Sequence, residues 1–478
     1  MLNAFLRPEL GIAIGCGLRP LEGHAARAVN KKCRARLARK EITHRDAREG
    51  AAMHSSVHQT ETLLFGILLQ LIVMIAAARA GNRLLRRLGQ PAVVGEIVAG
   101  LMLGPSLFGY FFHDASLSLF GAKASTPITI ISQIGLVLLM FQIGMDFEFG
   151  HLAQRRNRNG ALGITAASVC VPFALGFGIG ELSAPWLAPS IDPLTYSLFF
   201  GVGLAITAVP ILGRILREFD LTRTEIGVVA ISSAAANDVT GWVLLAGISA
   251  YASAHFSSGA IGAQMGGIVL LGAVSWFVLR RAVHWLLEKI SVDDGRVPPN
   301  LMTVVVCFVF AMGICTSALG IFTIFGGFLA GLLFHHDKKF VEAWREQVGR
   351  FVLVFFLPVF FTYTGLRTNV LGLASASDWE WLLAVLVASI GGKMVPVYLA
   401  SRLAGFPHRE ATILGSLMNT RALMELIVLN IGFDLGFIPQ NVFTMLVIMA
   451  VVTTVMTGPL LRVLLPKAGY VIPEGVEA

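Results

Sequence analysis

From Glu61 to Leu465 long apolar runs alternate with short polar segments, and most of the polar segments carry arginine or lysine. A helix needs roughly 20 predominantly apolar residues to cross the hydrocarbon of a bilayer. By that measure the pattern predicts thirteen spans: Glu61–Ala78, Pro91–Tyr110, Pro127–Phe147, Gly160–Leu182, Pro193–Leu212, Ile226–Ala252, Gly262–Leu287, Pro299–Leu319, a shorter Ile321–Phe334, Gly349–Leu366, Trp379–Ala400, Ala411–Gly432 and Pro439–Leu465. The fold class expected is an all-α membrane protein of 13 transmembrane helices.

Phrases recur at a separation of seven spans. Val98-Ala99-Gly100-Leu101 in span two matches Leu329-Ala330-Gly331-Leu332 in span nine. Met140–Asp146 in span three parallels Phe361–Arg367 in span ten, and spans four and eleven share the Val-Pro pairs Val171-Pro172 and Val395-Pro396. Seven is odd, so the two copies run oppositely across the membrane. Spans one to six and eight to thirteen read as two inverted six-helix repeats joined by span seven, an arrangement of secondary transporters. The fifth span of each repeat is interrupted. Span five holds Ala205-Ile206-Thr207-Ala208-Val209-Pro210, where proline removes a backbone donor and disfavours helix at the preceding residue. Span twelve holds Met418-Asn419-Thr420-Arg421, polar at membrane depth. Paired breaks at Pro210 and at Asn419 and Thr420 point to a binding site.

Loop charge is one-sided. Alternate loops carry Arg79, Arg83, Arg86 and Arg87; Arg155, Arg156 and Arg158; Arg214, Arg217 and Arg223; Arg280, Arg281, Lys289 and Arg296; Lys338, Lys339, Arg345 and Arg350; Arg402 and Arg409. The opposite set holds Lys123 and Arg367. The positive-inside rule makes the first set cytoplasmic together with the short tail 467–478, and places the start of span one outside. Residues 1–52 conflict with this, because they carry eleven basic residues from Arg7 to Arg48. A transit peptide is Ser-rich, whereas the first serine here is Ser55. A cytoplasmic basic tail needs an even number of spans. The reading adopted is that Met53 is the functional start and 1–52 an upstream extension, leaving 53–466 as the transmembrane domain.

Composition agrees with a polytopic protein. The chain is 55% hydrophobic and 14% charged, against about 25% charged in soluble domains, and its mean hydropathy is +0.73. The 50 glycines suit close helix approach in lipid. No CxxC or Cys/His spacing appears, so neither a disulfide framework nor a bound metal is expected, and no cofactor motif is found. The net charge of +8 is dispersed between apolar runs, a membrane-topology pattern rather than a nucleic-acid patch.

The deep ionisable residues are Glu96, Asp238, Lys393, Arg421 and Glu425. A carboxylate at the bilayer centre costs on the order of 2.5–3.5 kcal/mol by insertion scales, so Asp238 is read as a carrier. Arg421 and Glu425, four apart, would face each other on a helix and pair. Lys393 needs a partner across the bundle: either Asp238 in an empty site, or dipoles at a helix crossing. Glu96, near the interface, is read as capping or packing. An intramembrane aspartyl protease needs two carboxylates in one site, and no second deep aspartate is present, so enzymatic function is not expected.

At these residues the chain resembles the second monovalent cation:proton antiporter family, which includes Kef- and NapA-type proteins and plant cation/proton exchangers. The phrases are Gly95-Glu96-Ile97-Val98-Ala99-Gly100 with Leu103-Gly104-Pro105, Thr207-Ala208-Val209-Pro210-Ile211-Leu212, Ala236-Asn237-Asp238-Val239, Gly392-Lys393 and Met418–Leu426, in order over 60–465. The resemblance implies an NhaA-like fold with spans five and twelve crossing as discontinuous helices. Spans four to six and eleven to thirteen would form a moving core, and spans one to three and eight to ten a dimerisation scaffold giving a homodimer in membrane lipid. It implies a secondary active transporter exchanging a monovalent cation, Na+ or K+, for protons, with Asp238 as carrier and Asn237 and Thr207 helping to coordinate. Lys393, Arg421 and Glu425 would compensate charge in the core. The expected location is a bacterial inner (cytoplasmic) membrane. Electrogenic members carry two adjacent carboxylates, and Asn237 in the first place implies electroneutral exchange. Kef-type and plant members carry long soluble C-terminal domains, which the residues after Leu465 do not match. A cation channel and a sodium-coupled solute symporter are the alternatives on the same fold.

Overall fold

The computed structural model describes residues 60–87, 90, 92–121, 126–146, 155–222, 224–253, 266–267, 269–290, 295–319 and 322–471. The expectations for 1–52, for Met53, for Lys123, for the start of span seven and for the tail beyond 471 lie outside these residues. Contacts divide the chain after Leu68. Of the first unit, residues 60–68 are described, as the opening turns of a helix. All packing below belongs to Leu69–Ala478.

The described residues are predominantly helical, and eleven helices among them are long and apolar enough to cross a membrane, by length and composition. In chain order the helices are α1 (Thr60–Arg87), α2 (Ala92–Leu103), α3 (Thr126–Met145), α4 (Arg155–Leu187), α5 (Pro193–Ala205), α6 (Val209–Glu218), α7 (Glu225–Ser253), α8 (Val269–Lys289), α9 (Pro299–Ala318), α10 (Thr323–Phe334), α11 (Val352–Gly372), α12 (Ala376–Leu403), α13 (His408–Met418), α14 (Leu423–Asp434) and α15 (Gln440–Ala468). α13 and α14 together make one of the eleven, the span that contains α2 runs on from Val94 to Phe111, and short helices at His113–Phe120 and Lys338–Trp344 lie outside this numbering. α5 and α10 are apolar but shorter. Their shortness is the reason the count falls below the thirteen expected.

Two packing groups emerge. α3 lies along α10, α10 along α9, and α11 along α2 and α3; α4 lies along α5, α7 and α12, and α12 along α13 and α15. Glycine permits the tightest approaches. A Cβ at Gly144 of α3 would lie 3.0 Å from the Gly331 Cα of α10, and one at Gly365 of α11 would lie 2.6 Å from the Gly100 Cα of α2. The α13–α14 pair is the most deeply buried of these spans, at 94% of its apolar stretch, against 11% for α8.

The interruption of span five lies upstream of its proline. Ile206, Thr207 and Ala208 are non-helical, with Ile206 at φ −70°, ψ 145° and Ala208 at φ −91°, ψ 100°, and Pro210 sits in the first turn of α6. A proline there sacrifices no bond, because the first amides of a helix have no intrahelical acceptor. The second interruption runs from Asn419 to Ala422. Ala422 takes φ 66°, ψ −101°, one of two non-glycine residues with positive φ among those described.

Candidate functional site

The two breaks meet. At the junction α5 and α13 present free carbonyl ends while α6 and α14 present free amide ends, so partial charges of both signs converge in the centre of the bundle. The extended segments bond to each other: Ala208 N–H donates to Thr420 O at 3.2 Å, and Thr207 Oγ1 donates to Met418 O at 3.3 Å. Thr420 and Asn419 are also tied to α15, through Thr457 Oγ1 at 3.4 Å and Met456 Sδ at 3.5 Å.

Lys393, fully buried on α12, donates from Nζ to Ala205 O and, at 3.3 Å, to Ile206 O. Of the two roles open to it from sequence, this geometry is the second: the ammonium neutralises the carbonyl end of α5. Arg421 acts similarly, with Nη1 on Gly203 O at 3.2 Å and Nη2 on Ser389 O at 3.3 Å. Arg421 and Glu425 form the buried ion pair that their spacing suggested, though not on one continuous helix. Arg421 lies in the non-helical break, outside α14, and its Nη1 stands 3.9 Å from Glu425 Oε2. Both charges are buried, yet neither Glu425 oxygen accepts a hydrogen bond. Arg421 spends its donors on backbone carbonyls instead.

Asn237 and Asp238 are neighbours on α7 with opposite fates. Both Asn237 Nδ2 hydrogens are used, on Ser168 Oγ at 3.1 Å and Ala205 O at 3.1 Å, and Oδ1 accepts from Thr207 N–H at 3.0 Å. The amide fixes the first break to α4 and α7, and Oδ1 keeps a second lone pair. Asp238 is 3% exposed, and neither of its oxygens has a partner with hydrogen-bond geometry. The Val209 amide at the start of α6 and the Lys393 ammonium are the groups whose fields reach it. A buried carboxylate left without donors is costly, so its free oxygens are open to a proton or a small cation. The Thr207 hydroxyl donates its hydrogen to Met418 and keeps oxygen lone pairs.

Glu96 lies apart, on α2. It accepts from Asn82 Nδ2 at 3.0 Å while its second oxygen is unpartnered. Asp238, Asn237, Thr207, Lys393, Arg421, Asn419 and Thr420 are thus brought to one crossing, with Pro210 in the first turn of α6 and Glu425 in the first turn of α14.

The profile described as sodium/hydrogen exchanger, transmembrane, matches residues 71–467. The chain belongs to this family. As a member of the sodium/hydrogen exchanger family it is an integral membrane protein built for transport rather than an enzyme. It is 35% identical over 416 residues to the Na(+)/H(+) antiporter NhaS4 of Synechocystis, covering 86% of this chain and 100% of that one. Identity is also 35% over 415 residues to Cation/H(+) antiporter 18 of Arabidopsis thaliana, covering 85% of this chain and 50% of the relative. The chain therefore spans half the length of that plant protein. The structure of the sodium proton antiporter MjNhaP1 of Methanocaldococcus jannaschii superposes with a TM-score of 0.58 at 15% identity, covering 84% of this chain and 97% of the other, a likeness of fold.

Sequence reasoning missed Ser168, which holds Asn237, and Ala422, which carries the strain of the second break. It also read Arg367 only as loop charge. Arg367, at the end of α11, donates to Asn430 Oδ1 at 3.0 Å and to the Asp434 carboxylate, both on α14, and lies over the rings of Tyr363 at 5.0 Å and Phe433 at 4.7 Å. The i, i+4 spacing of Asn430 and Asp434 was the available signal for such a bidentate partner.

Proposed function

We propose that this chain exchanges a monovalent cation, Na+ or K+, for protons across a membrane, with Asp238 as the single alternating carrier. The observation that carries this is the Asp238 carboxylate, buried beside two crossed helix breaks with both oxygens unpartnered while the Thr207 N–H is held by Asn237 and the Lys393 ammonium by the carbonyl end of α5. Protonated or cation-bound, the group is close to neutral and can move through a low-dielectric barrier; bare, it is penalised. Asn237 cannot titrate and serves the break, so one charge is available per cycle, which supports electroneutral exchange.

The reading extends to thirteen membrane segments in two inverted repeats, counting α5–α6 and α13–α14 as one segment each and adding α10. Its support is reciprocal packing. Gly100 matches Gly331 and Gly144 matches Gly365 in the repeated phrases, and the close pairs are Gly100 with Gly365 and Gly331 with Gly144. Exchanging the repeats turns one pair into the other. α4–α7 with α12–α15 would be the moving core, and α1–α3 with α9–α11 the scaffold and homodimer surface. By the positive-inside rule the arginine-rich face is cytoplasmic, in a bacterial inner membrane.

Alternating access would tilt α14 and α6 against α3 and α11. Two cavities flank this boundary. One of about 570 Å³ lies on the arginine-rich side, lined by Asp146, Arg214 and Leu423 among others; one of about 380 Å³ lies on the other side, reached by Gln133, Tyr363 and Asn430. On the latter side Arg367 ties α11 to α14. On the arginine-rich side, among the described residues, Asp146 is instead paired with Arg345 at 2.6 Å, ahead of α11. That asymmetry fits a conformation opening toward the arginine-rich face.

The test is proton flux in proteoliposomes, read with a pH dye after sodium or potassium pulses. The wild-type chain is expected to show saturable flux in which cation and proton move oppositely. Asp238→Asn is expected to be folded and inactive. Robust cation-driven proton flux in that variant would refute the carrier assignment, uncoupled flux would indicate a channel, and proton movement in the same direction as sodium a symporter.

A further inference from the structure

α8 is the least buried of the spans, and its last turns border an open groove of about 850 Å³ shared with the end of α10 and the segment after it. Six basic side chains line this groove: Arg280, Arg281 and His284 from α8, and His336, Lys338 and Lys339 from the segment after α10. Of the acidic residues near them, Asp337 is committed to capping the Phe340 N–H at 2.9 Å, and Glu288 pairs with His284 at 3.2 Å. The surplus is positive. His336 shows it: burial first, then His335, Arg280 and His284, hold its imidazole below the usual 6.5.

The groove is apolar at its other end. Trp276 and Phe277 line it and are 58% and 67% exposed, with Arg280 over the Trp276 ring at 4.6 Å. Both aromatics sit in a π-helical turn, Ser275–Leu279, closed by Arg280 N–H donating to Ser275 O. Such single wide turns shift the register of a helix and recur at functional sites. Exposed aromatics below and cations above is the order of groups across a membrane interface, acyl chains then phosphates.

We propose that this groove binds an anionic phospholipid, its phosphates held by Arg281, Lys338 and Lys339 and its acyl chains lying on Trp276 and Phe277. Charge complementarity selects the occupant. Basic pockets between transmembrane helices bind lipids with more than one phosphate charge. A second copy of this chain would bring the same cations to the same place.

The experiment is thermal unfolding of the full chain in detergent with added cardiolipin, phosphatidylcholine or inorganic pyrophosphate. Cardiolipin is expected to raise the midpoint by roughly 3 °C or more, and phosphatidylcholine and pyrophosphate to leave it unchanged. The triple variant Arg281→Gln/Lys338→Gln/Lys339→Gln is expected to lose the shift, while Arg83→Gln/Arg87→Gln, exposed at the end of α1, keeps it. A full shift in the triple variant overturns the proposal. An equal shift from pyrophosphate makes this a soluble-anion site and overturns the lipid assignment. If the triple variant dissociates a dimer without responding to lipid, the groove is an interface between copies. Should the triple variant fail to fold, cardiolipin with brominated acyl chains gives a second readout. It quenches fluorescence that disappears in Trp276→Phe; quenching identical in both chains removes the lipid from the groove.

Discussion

Asn237→Ala and Asp238→Asn change adjacent residues and are expected to have opposite consequences. Removing the Asn237 amide orphans the Thr207 N–H, which is buried and has Asn237 Oδ1 as its acceptor at 3.0 Å. An unsatisfied buried donor costs about 1–3 kcal/mol. The other two bonds lost are cheaper, about 0.5–1.5 kcal/mol each. Ala205 O retains Lys393, and Ser168 Oγ retains its bond to Thr165 O at 3.0 Å. The sum is about 2–6 kcal/mol, which in a chain of this size should lower the unfolding midpoint by at least about 2 °C. Asn237→Asp keeps the acceptor for Thr207 and should fall between. Asp238→Asn removes no hydrogen bond, since neither oxygen has a partner, and should leave the midpoint unchanged or raised. The measurement is thermal unfolding in detergent, run beside the proteoliposome flux assay. Both variants should lose exchange, one by losing the break and the other by losing the carrier. An Asn237→Ala chain as stable as wild type, or an Asp238→Asn chain as unstable as Asn237→Ala, would refute the division of labour.

Three further outcomes follow from the same geometry. Arg367→Gln removes an ion pair to a carboxylate that is 40% exposed, worth at most about 1 kcal/mol, and two ring contacts worth about 0.5–1 kcal/mol each. α14 should part more readily from α11, so Ile431→Cys in a background free of native cysteines should react faster with a thiol reagent than with Arg367 in place; equal rates would show that the contact does not restrain α14. Ala422→Gly relieves a positive φ whose strain is about 1–3 kcal/mol, and should keep or raise the midpoint, whereas Ala422→Val should lower it; the reverse order would mean that the turn is unstrained. His336 has a lowered folded-state value, so its contribution to stability is present above 6.5 and lost as pH falls below it. His336→Gln should flatten the acid limb of a midpoint-versus-pH curve, and an unchanged limb would place that dependence elsewhere.

Much of the architecture was legible because hydropathy alone constrains where helices cross a membrane. The expected and observed bounds of α9 differ by one residue at the C-terminus, Leu319 against Ala318. The breaks were legible as polar or proline-bearing phrases within apolar runs. Their inner structure was not, since it depends on which backbone groups the crossing brings together. Pro210 marks the second half of its span, while the extended residues lie before it, where Asn237 and Lys393 hold the carbonyl end. A spacing rule paired Arg421 with Glu425 on the premise of a continuous helix; the pair forms at 3.9 Å, but across the turn at Ala422, which the rule did not foresee. Lys393 shows the general case. A buried cation must have a partner, and the chemistry requires only negative charge, which a carboxylate or a helix end can both supply. Sequence displays the first and conceals the second, because the Ala205 and Ile206 carbonyls become free only when α5 stops. Lys393 is held on α5 while both Asp238 oxygens lack a hydrogen-bond partner, and it is this displacement of the obvious counter-ion on which the proposed carrier role rests.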